Sequence, residues 1–200
     1  MTLYYLPDGL LPSSQTFELV TNTKTFQSPL SNAIQTISRK GSYWKTSMTF
    51  NNLNGEQRND LKAVLSKLNG QEHRLAVRDY GHLNQGNYVT SNTPYLDEIR
   101  SSTQIVVNNV TPNIAGYLKA GDYIIVNGEY KIVVDDADSN ASFRCLINIA
   151  PPLRDTTTLS GRVYFLNERG TFIVTNNPQW RNNPPYFSSI TIEAVEDVLA

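Results

Sequence analysis

The chain has 200 residues, a formal net charge of −1 and a sequence pI near 6.1. That length supports one large domain or two small ones, with enough buried surface to fold without metal or disulfide links. The charge balance supplies none of the positive field that non-specific binding to nucleic acid or to anionic membranes requires, so we expect no sequence-specific nucleic-acid partner.

The cysteine content and the N-terminal residues bear on the compartment. Cys145 is the only cysteine, so the chain cannot form an internal disulfide and does not need an oxidising environment. The first twelve residues contain no Lys or Arg and are interrupted by Pro7, and no run of about 18 apolar residues occurs. We therefore expect synthesis in the cytoplasm, without a standard secretion signal and without insertion into a membrane.

Alternating apolar and polar side chains predict β-strands along most of the chain. The clearest strand is Tyr43 to Phe50, in which Trp44, Met48 and Phe50 face one way. Gly, Asn, Asp or Pro separates nearly all of the further predicted strands. These are Phe17–Val20, Ile34–Ser38, Leu75–Val77, Ile105–Val107, Tyr123–Val126, Tyr130–Val134, Phe143–Ile149, Val163–Leu166, Thr171–Val174 and Ile190–Val195.

One segment, residues 55–68, has helical spacing instead. Leu61, Val64, Leu65 and Leu68 recur at i, i+3, i+4 and i+7, which predicts one apolar stripe on a helix of about four turns. We expect Asn54 and Gln57 to form a capping box at its start, and Asn69-Gly70 to supply a left-handed exit.

The middle of the chain predicts a self-contained unit. Asn127-Gly128 lies between two apolar runs and is typical of a tight hairpin turn, and about 60 residues in such a pattern are enough for a small β-barrel. We predict a mainly β fold: a β-sandwich-like domain with one helix from residues 1–90 and 167–200, a linker at 91–102, and an inserted barrel at 103–166. A plain tandem of two domains is the alternative that the pattern mildly disfavours.

The residues that could carry chemistry form no recognisable catalytic or metal-binding set. His73 and His82 have no Ser, Cys or carboxylate arrangement nearby, and three scattered His and Cys residues are too few for zinc. Asp136, Asp138 and Asn140 alternate like the first ligands of a calcium loop, but the Gly and Glu of that motif are missing, which favours an acidic turn. We expect no enzymatic activity, no metal and no cofactor.

The run of residues 176–185 is the best candidate for a contact loop. It is too rich in proline for regular structure, yet it carries a tryptophan, which disordered segments usually lack. Aromatic side chains bring a large rigid surface to an interface. We therefore name Trp180 and Arg181 as candidates for contact with another subunit.

The order of these elements resembles the distal tail proteins, or baseplate hub proteins, of long-tailed bacteriophages (siphophages). The resemblance covers nearly the whole chain: an N-terminal β region with Phe26–Pro29, a strand with Tyr43–Lys45, a helix ending Leu68–Gly70, and then the insert. Within the insert, it rests on three short strings, Leu118–Ile124, Asn127–Ile132 and Pro151–Arg154.

The resemblance implies a structural virion protein whose first domain forms a ring of six copies at the end of the tail tube. Its implied partners are further copies of itself, the tail tube protein and the tail-tip proteins, with side fibres or host saccharide on the insert, which is similar to an oligonucleotide/oligosaccharide-binding (OB) barrel. The implied location is the tail tip of the virion. The alternative function is a saccharide-binding module acting through the inserted barrel; a hydrolase is the third and weakest hypothesis, because no nucleophile or carboxylate pair is assembled in the sequence.

Overall fold

The computed structural model describes residues 1–38, 41–88, 93–165, 169–183 and 187–198. The predicted strand end at Leu166, the two prolines at 184 and 185 of the contact loop, and the predicted domain boundaries at 90, 91 and 167 lie outside those residues.

The described residues form one helix and fifteen strands, which confirms the mainly β class. Helix α1 spans Gly55–Lys67. The strands are β1 Leu3–Tyr5, β2 Ser14–Val20, β3 Thr23–Gln27, β4 Ile34–Ser38, β5 Tyr43–Leu53, β6 Arg74–Val77, β7 Tyr95–Ser101, β8 Gln104–Asn108, β9 Tyr123–Val126, β10 Glu129–Val133, β11 Arg144–Ala150, β12 Val163–Tyr164, β13 Gly170–Val174, β14 Arg181–Asn183 and β15 Phe187–Glu196.

A seven-stranded sheet joins the two ends of the chain. Its order is β1-β6-β13-β15-β5-β2, with β14 pairing additionally with β15. The C-terminal strand β15 lies at the centre of the sheet and runs antiparallel to β5, with Ile192 opposite Met48. Its inward residues Ile190, Ile192 and Ala194 are all buried, as the alternation predicts, so the chain does return to its first sheet after the middle segment.

Helix α1 has the ends that the sequence predicts. The Asn54 side chain accepts a hydrogen bond from the Gln57 backbone at 2.9 Å, and the Gln57 side chain accepts one from the Asn54 backbone at 3.2 Å. This capping box satisfies two backbone donors that a helix start otherwise leaves free. Leu61 and Leu68 are buried in the core, and Asn69 and Gly70 both adopt positive φ at the exit.

A six-stranded sheet, in the order β12-β9-β10-β11-β8-β7, occupies the middle of the chain. The Asn127-Gly128 turn joins β9 to β10 with φ of 50° and 80°, as expected for a tight hairpin. An isolated bridge between Tyr95 and Arg162 and three backbone hydrogen bonds link the chain around β7 to the chain around β12. No ladder pairs these two edge strands in the described residues, so the predicted OB-like barrel is not confirmed.

Part of the segment predicted as a linker, residues 91–102, forms a β-strand in the structure. Residues Tyr95–Ser101 form β7, which pairs with β8 across two register shifts. Leu96 is fully buried, but three charged residues interrupt the alternation around it and hide the strand signal: Asp97, Glu98 and Arg100. These charges lie on an edge strand, where they discourage pairing with other chains.

The two sheets pack against each other through their aromatic residues. Phe17 and Trp44 of the first sheet contact Tyr123 and Tyr130 of the second, with ring centroids 5.5–6.1 Å apart. The other side of the second sheet encloses its own apolar cluster, which includes Leu96, Ile105 and Ile147. Strands β9 and β10 therefore have apolar residues on both faces.

Candidate functional site

Trp180 and Arg181, the predicted contact residues, lie on a groove at one end of the first sheet. Trp180 is half-buried and packs against the first core, whereas Arg181 begins β14 and is exposed. The groove has a volume of about 640 Å³ and is named here the Trp180 groove. Its lining residues are Thr49, Asn51, Asn176, Asn177, Gln179, Trp180, Arg181, Ser189, Ile190 and Thr191.

Some polar groups of the Trp180 groove are used to hold it in shape. The hydroxyls of Thr49 and Thr191 are 3.1 Å apart across the β5–β15 pair. Asn176 donates to the Thr191 carbonyl at 2.9 Å and accepts from the Glu193 backbone at 3.0 Å. Because Asn176 bonds to β15 at two points, the loop that carries Trp180 is fixed against the sheet.

Other polar groups of the groove are free. The side chains of Asn177, Gln179 and Arg181 make no hydrogen bond or ion pair with the described part of the chain. The prediction that this loop contacts another subunit stays a prediction.

An exposed hairpin forms a second candidate surface. It consists of β3, β4 and their connecting residues 28–33, and among the described strands β3 and β4 pair only with each other. Phe26, Leu30 and Ile34 are 52%, 98% and 69% exposed, and Ile37 is also exposed. A lone two-stranded hairpin is marginally stable in water, so this hairpin needs a surface to pack on.

The first sheet has an open edge on either side. At the edge nearest the exposed hairpin, β2 pairs only with β5 among the described strands. At the opposite edge, β1 carries Tyr5, which is 54% exposed, close to the exposed Met1. Five strand spacings separate β1 from β2, or roughly 24 Å. The two edges of the first sheet therefore present two different surfaces, one at β1 and one at β2.

A buried network of four charged side chains joins the two sheets. We call Glu129, Lys131, Arg154 and Glu196 the junction network. Lys131 is fully buried and donates to Glu129 at 2.6 Å, and Arg154 donates to Glu196 at 2.7 Å. Both carboxylates also accept backbone hydrogen bonds, which burial of a charge requires.

Burial shifts the pKa values of groups in and beside the junction network. Burial lowers the pKa of Lys131 below its usual value, and the Glu129 carboxylate offsets part of this effect. Nearby, burial raises the pKa values of Tyr123 and Tyr130 well above the ordinary tyrosine value. These shifts follow from burial of the three side chains between the sheets, because a low local dielectric disfavours the charged form of a group.

The two histidines lie apart from these surfaces. His73 contacts Tyr4, and His82 contacts Tyr123 edge-on with centroids 4.9 Å apart. His82, Arg78 and Asp79 border a cavity of about 10 Å³, room for a single water molecule. The described residues contain no group of three or more His, Cys, Asp or Glu side chains arranged to hold a metal ion.

The predicted acidic turn forms an irregular connection between β10 and β11. Asp136 pairs with Lys119 at 2.6 Å, and Asp138 accepts from the Gly116 backbone at 2.6 Å. The Asn140 side chain accepts from the Ser142 and Arg144 backbones. These oxygens hold different parts of the loop, so the segment acts as a structural connection within the second sheet.

Comparisons with known proteins identify no family for this chain. No protein-family model matches the chain, and a search of curated proteins finds no match either. In the described residues, no helix has the length and apolar character needed to cross a membrane. Binding of saccharide by residues 103–166 stays a prediction.

Proposed function

We propose that this chain is a non-catalytic structural protein of a bacteriophage tail, the distal tail or baseplate hub protein that joins the tail tube to the tail tip. In this proposal several copies, six by the resemblance in the sequence, form a ring at the end of the tube. The observation that carries the proposal is the exposed hairpin, which has apolar side chains and no partner strand in the described residues.

A second copy of the chain is the partner that best fits this hairpin. A closed ring of identical subunits uses a head-to-tail contact, so each subunit needs two different surfaces that complement each other. The hairpin and β2 edge supply one surface, and the β1 edge with Tyr5 supplies another on the opposite side of the sheet. A two-fold dimer would instead use one patch twice, which leaves the second surface exposed.

The ring proposal is tested by native mass spectrometry and negative-stain electron microscopy of the purified chain over a range of concentrations. We expect closed rings, and proteomic analysis of purified virions should place the chain in the tail. A strict monomer at every concentration, or absence from virions, contradicts the proposal.

A variant of the exposed hairpin gives a sharper test. Replacing Phe26, Leu30 and Ile34 together with Ser should yield monomers whose circular dichroism matches that of the original chain, because these side chains are exposed in the free subunit. The matched control is Leu83→Ser, which removes an apolar side chain that is 71% exposed elsewhere. The control should keep its rings, and rings that persist in the triple variant as well would exclude the hairpin as the subunit contact.

A further inference from the structure

The Trp180 groove carries hydrogen-bonding groups that the fold does not use. The side chains of Asn177 and Gln179, which have no hydrogen-bond partner in the described residues, each offer both donors and acceptors, and Asn51 adds a third exposed amide. The hydroxyls of Thr49, Ser189 and Thr191 lie beside them. A ligand that fits these groups must itself donate and accept hydrogen bonds at many closely spaced points.

Among the described residues that line the groove, Trp180 has the only large apolar side chain that is not fully buried. Trp180 is partly buried against the first core and also lines the groove, and Ile190, the other apolar residue among the described lining residues, is 2% exposed. A protein partner normally covers an apolar centre made of several side chains. One flat aromatic ring surrounded by amides and hydroxyls instead matches a sugar, which has an apolar face of C–H groups and a rim of hydroxyls.

We propose that the Trp180 groove binds an oligosaccharide, with one sugar ring stacked on the indole of Trp180 and its hydroxyls bonded to the amides of Asn177 and Gln179. Arg181 is the only charged residue that lines the groove, and it has no ion-pair partner in the described residues. The groove therefore prefers a sugar that carries a carboxylate, such as a uronic acid, over its uncharged counterpart.

This binding site is separate from the exposed hairpin, although the β2 edge reaches the groove where Ser14 pairs with Thr49. The exposed hairpin joins the sheet at Tyr43, whereas the groove lies at Asn51 near the other end of β5. Eight residues of extended strand separate these points, or roughly 27 Å. A change in the hairpin side chains therefore leaves the groove intact, and the hairpin variant allows the two proposals to fail separately.

The test uses the full-length chain on an array of bacterial surface oligosaccharides that includes matched uncharged and uronic-acid members, followed by calorimetry with the best binder. We expect saturable binding with a preference for the acidic member. Trp180→Ala should weaken binding about tenfold, a change of about 1.4 kcal/mol, because it removes the ring on which the sugar stacks. The absence of binding to any array member overturns the proposal.

Two variants at exposed side chains keep the proposal testable if Trp180→Ala fails to fold. Gln179→Ala changes an exposed side chain, so the fold should be kept while affinity falls about fivefold, the effect of losing one hydrogen bond. Arg181→Ala should abolish the preference for the acidic sugar and leave binding of the uncharged one. Equal affinity for both sugars in the unaltered chain overturns the role of Arg181.

A matched aromatic control distinguishes sugar binding at the Trp180 groove from sugar binding at the second sheet. Phe143→Ala removes a side chain that is 52% exposed beside β11 and should leave sugar binding unchanged. Loss of binding in Phe143→Ala but not in Trp180→Ala moves the site to the second sheet and overturns the proposal. Dissociation of the ring by Trp180→Ala, without sugar binding in the original chain, identifies the groove as a subunit contact instead.

Discussion

Replacing the buried carboxylate of Glu196 tests the junction network directly. Glu196 is 1% exposed and accepts four hydrogen bonds, from the backbones of Trp44 and Tyr130 and from two nitrogens of Arg154. The change Glu196→Gln keeps the shape of the side chain. It removes the charge, and it turns one acceptor oxygen into an amide nitrogen that can only donate.

The expected cost has two parts. Losing the charge-assisted bonds to Arg154 costs about 1.5–3 kcal/mol, and leaving one buried backbone N–H without an acceptor costs about 1–3 kcal/mol. The two parts add to about 2.5–6 kcal/mol. Because Arg154 keeps a bond to the Ser42 carbonyl, we discard the upper end and expect about 3–5 kcal/mol, the usual cost of breaking a buried ion pair. For a chain of this length, that corresponds to a fall in Tm of about 6–20 °C.

Urea unfolding followed by tryptophan fluorescence measures this loss, and Trp44 lies at the junction as a reporter. The matched control is Glu193→Gln on the same strand, whose exposed side chain should change stability by less than about 0.5 kcal/mol. The double change with Arg154→Met should cost less than the sum of the two single changes, because the pair is coupled. A loss below about 1 kcal/mol in Glu196→Gln refutes the energetic role of the network.

Three further predictions concern local features. Asn54→Ala removes the helix cap and should cost about 1 kcal/mol in chemical unfolding, whereas Asn59→Ala within the exposed helix face should not destabilise. Gly128→Ala should cost about 1–2 kcal/mol because its φ is 80°, while Gly55→Ala should stabilise by about 0.5–1 kcal/mol because φ is not positive there and the added methyl meets open space. Burial raises the pKa of Cys145 to about 12, so the folded chain keeps a proton that the unfolded chain loses above pH 9. The free energy of unfolding should therefore fall as the pH rises from 9 to 12, and this fall should be less steep in Cys145→Ala. Urea unfolding across that pH range measures the slope, and an unchanged slope in the variant would contradict the assignment.

Local patterns predicted the local structure well. The helix ends were readable because a capping box and an Asn-Gly exit use neighbouring residues. The inward face of β15 was readable because a strand with one buried face alternates strictly. Strand β7 was missed because Asp97 and Glu98 follow the buried Leu96, and a register shift at that point breaks the alternation.

The long-range features could not be predicted in the same way. The Trp180 groove depends on the pairing of Thr49 with Thr191, which are 142 residues apart, so only the Trp180 loop itself was visible in the sequence. Lys131 falls between apolar residues of β10 and has the pattern of an exposed strand position. Lys131 is buried, and its ammonium group donates hydrogen bonds to the Glu129 carboxylate and to the Pro152 carbonyl. The bond to Pro152 joins residues 21 apart, so the strand pattern alone does not reveal it.

The junction network also bears on how firmly the second sheet is held on the first. Separating the two sheets would expose or leave unpaired the charges of Lys131 and Glu196, each of which is at most 1% exposed. Breaking one partner of a buried pair costs several kcal/mol, and the aromatic contacts of Trp44 and Tyr130 would be lost in the same step. The second sheet is therefore held in one orientation on the first. A fibre or surface ligand bound to the second sheet would transmit its load through Glu196 to β15, the central strand of the sheet whose edges form the proposed ring.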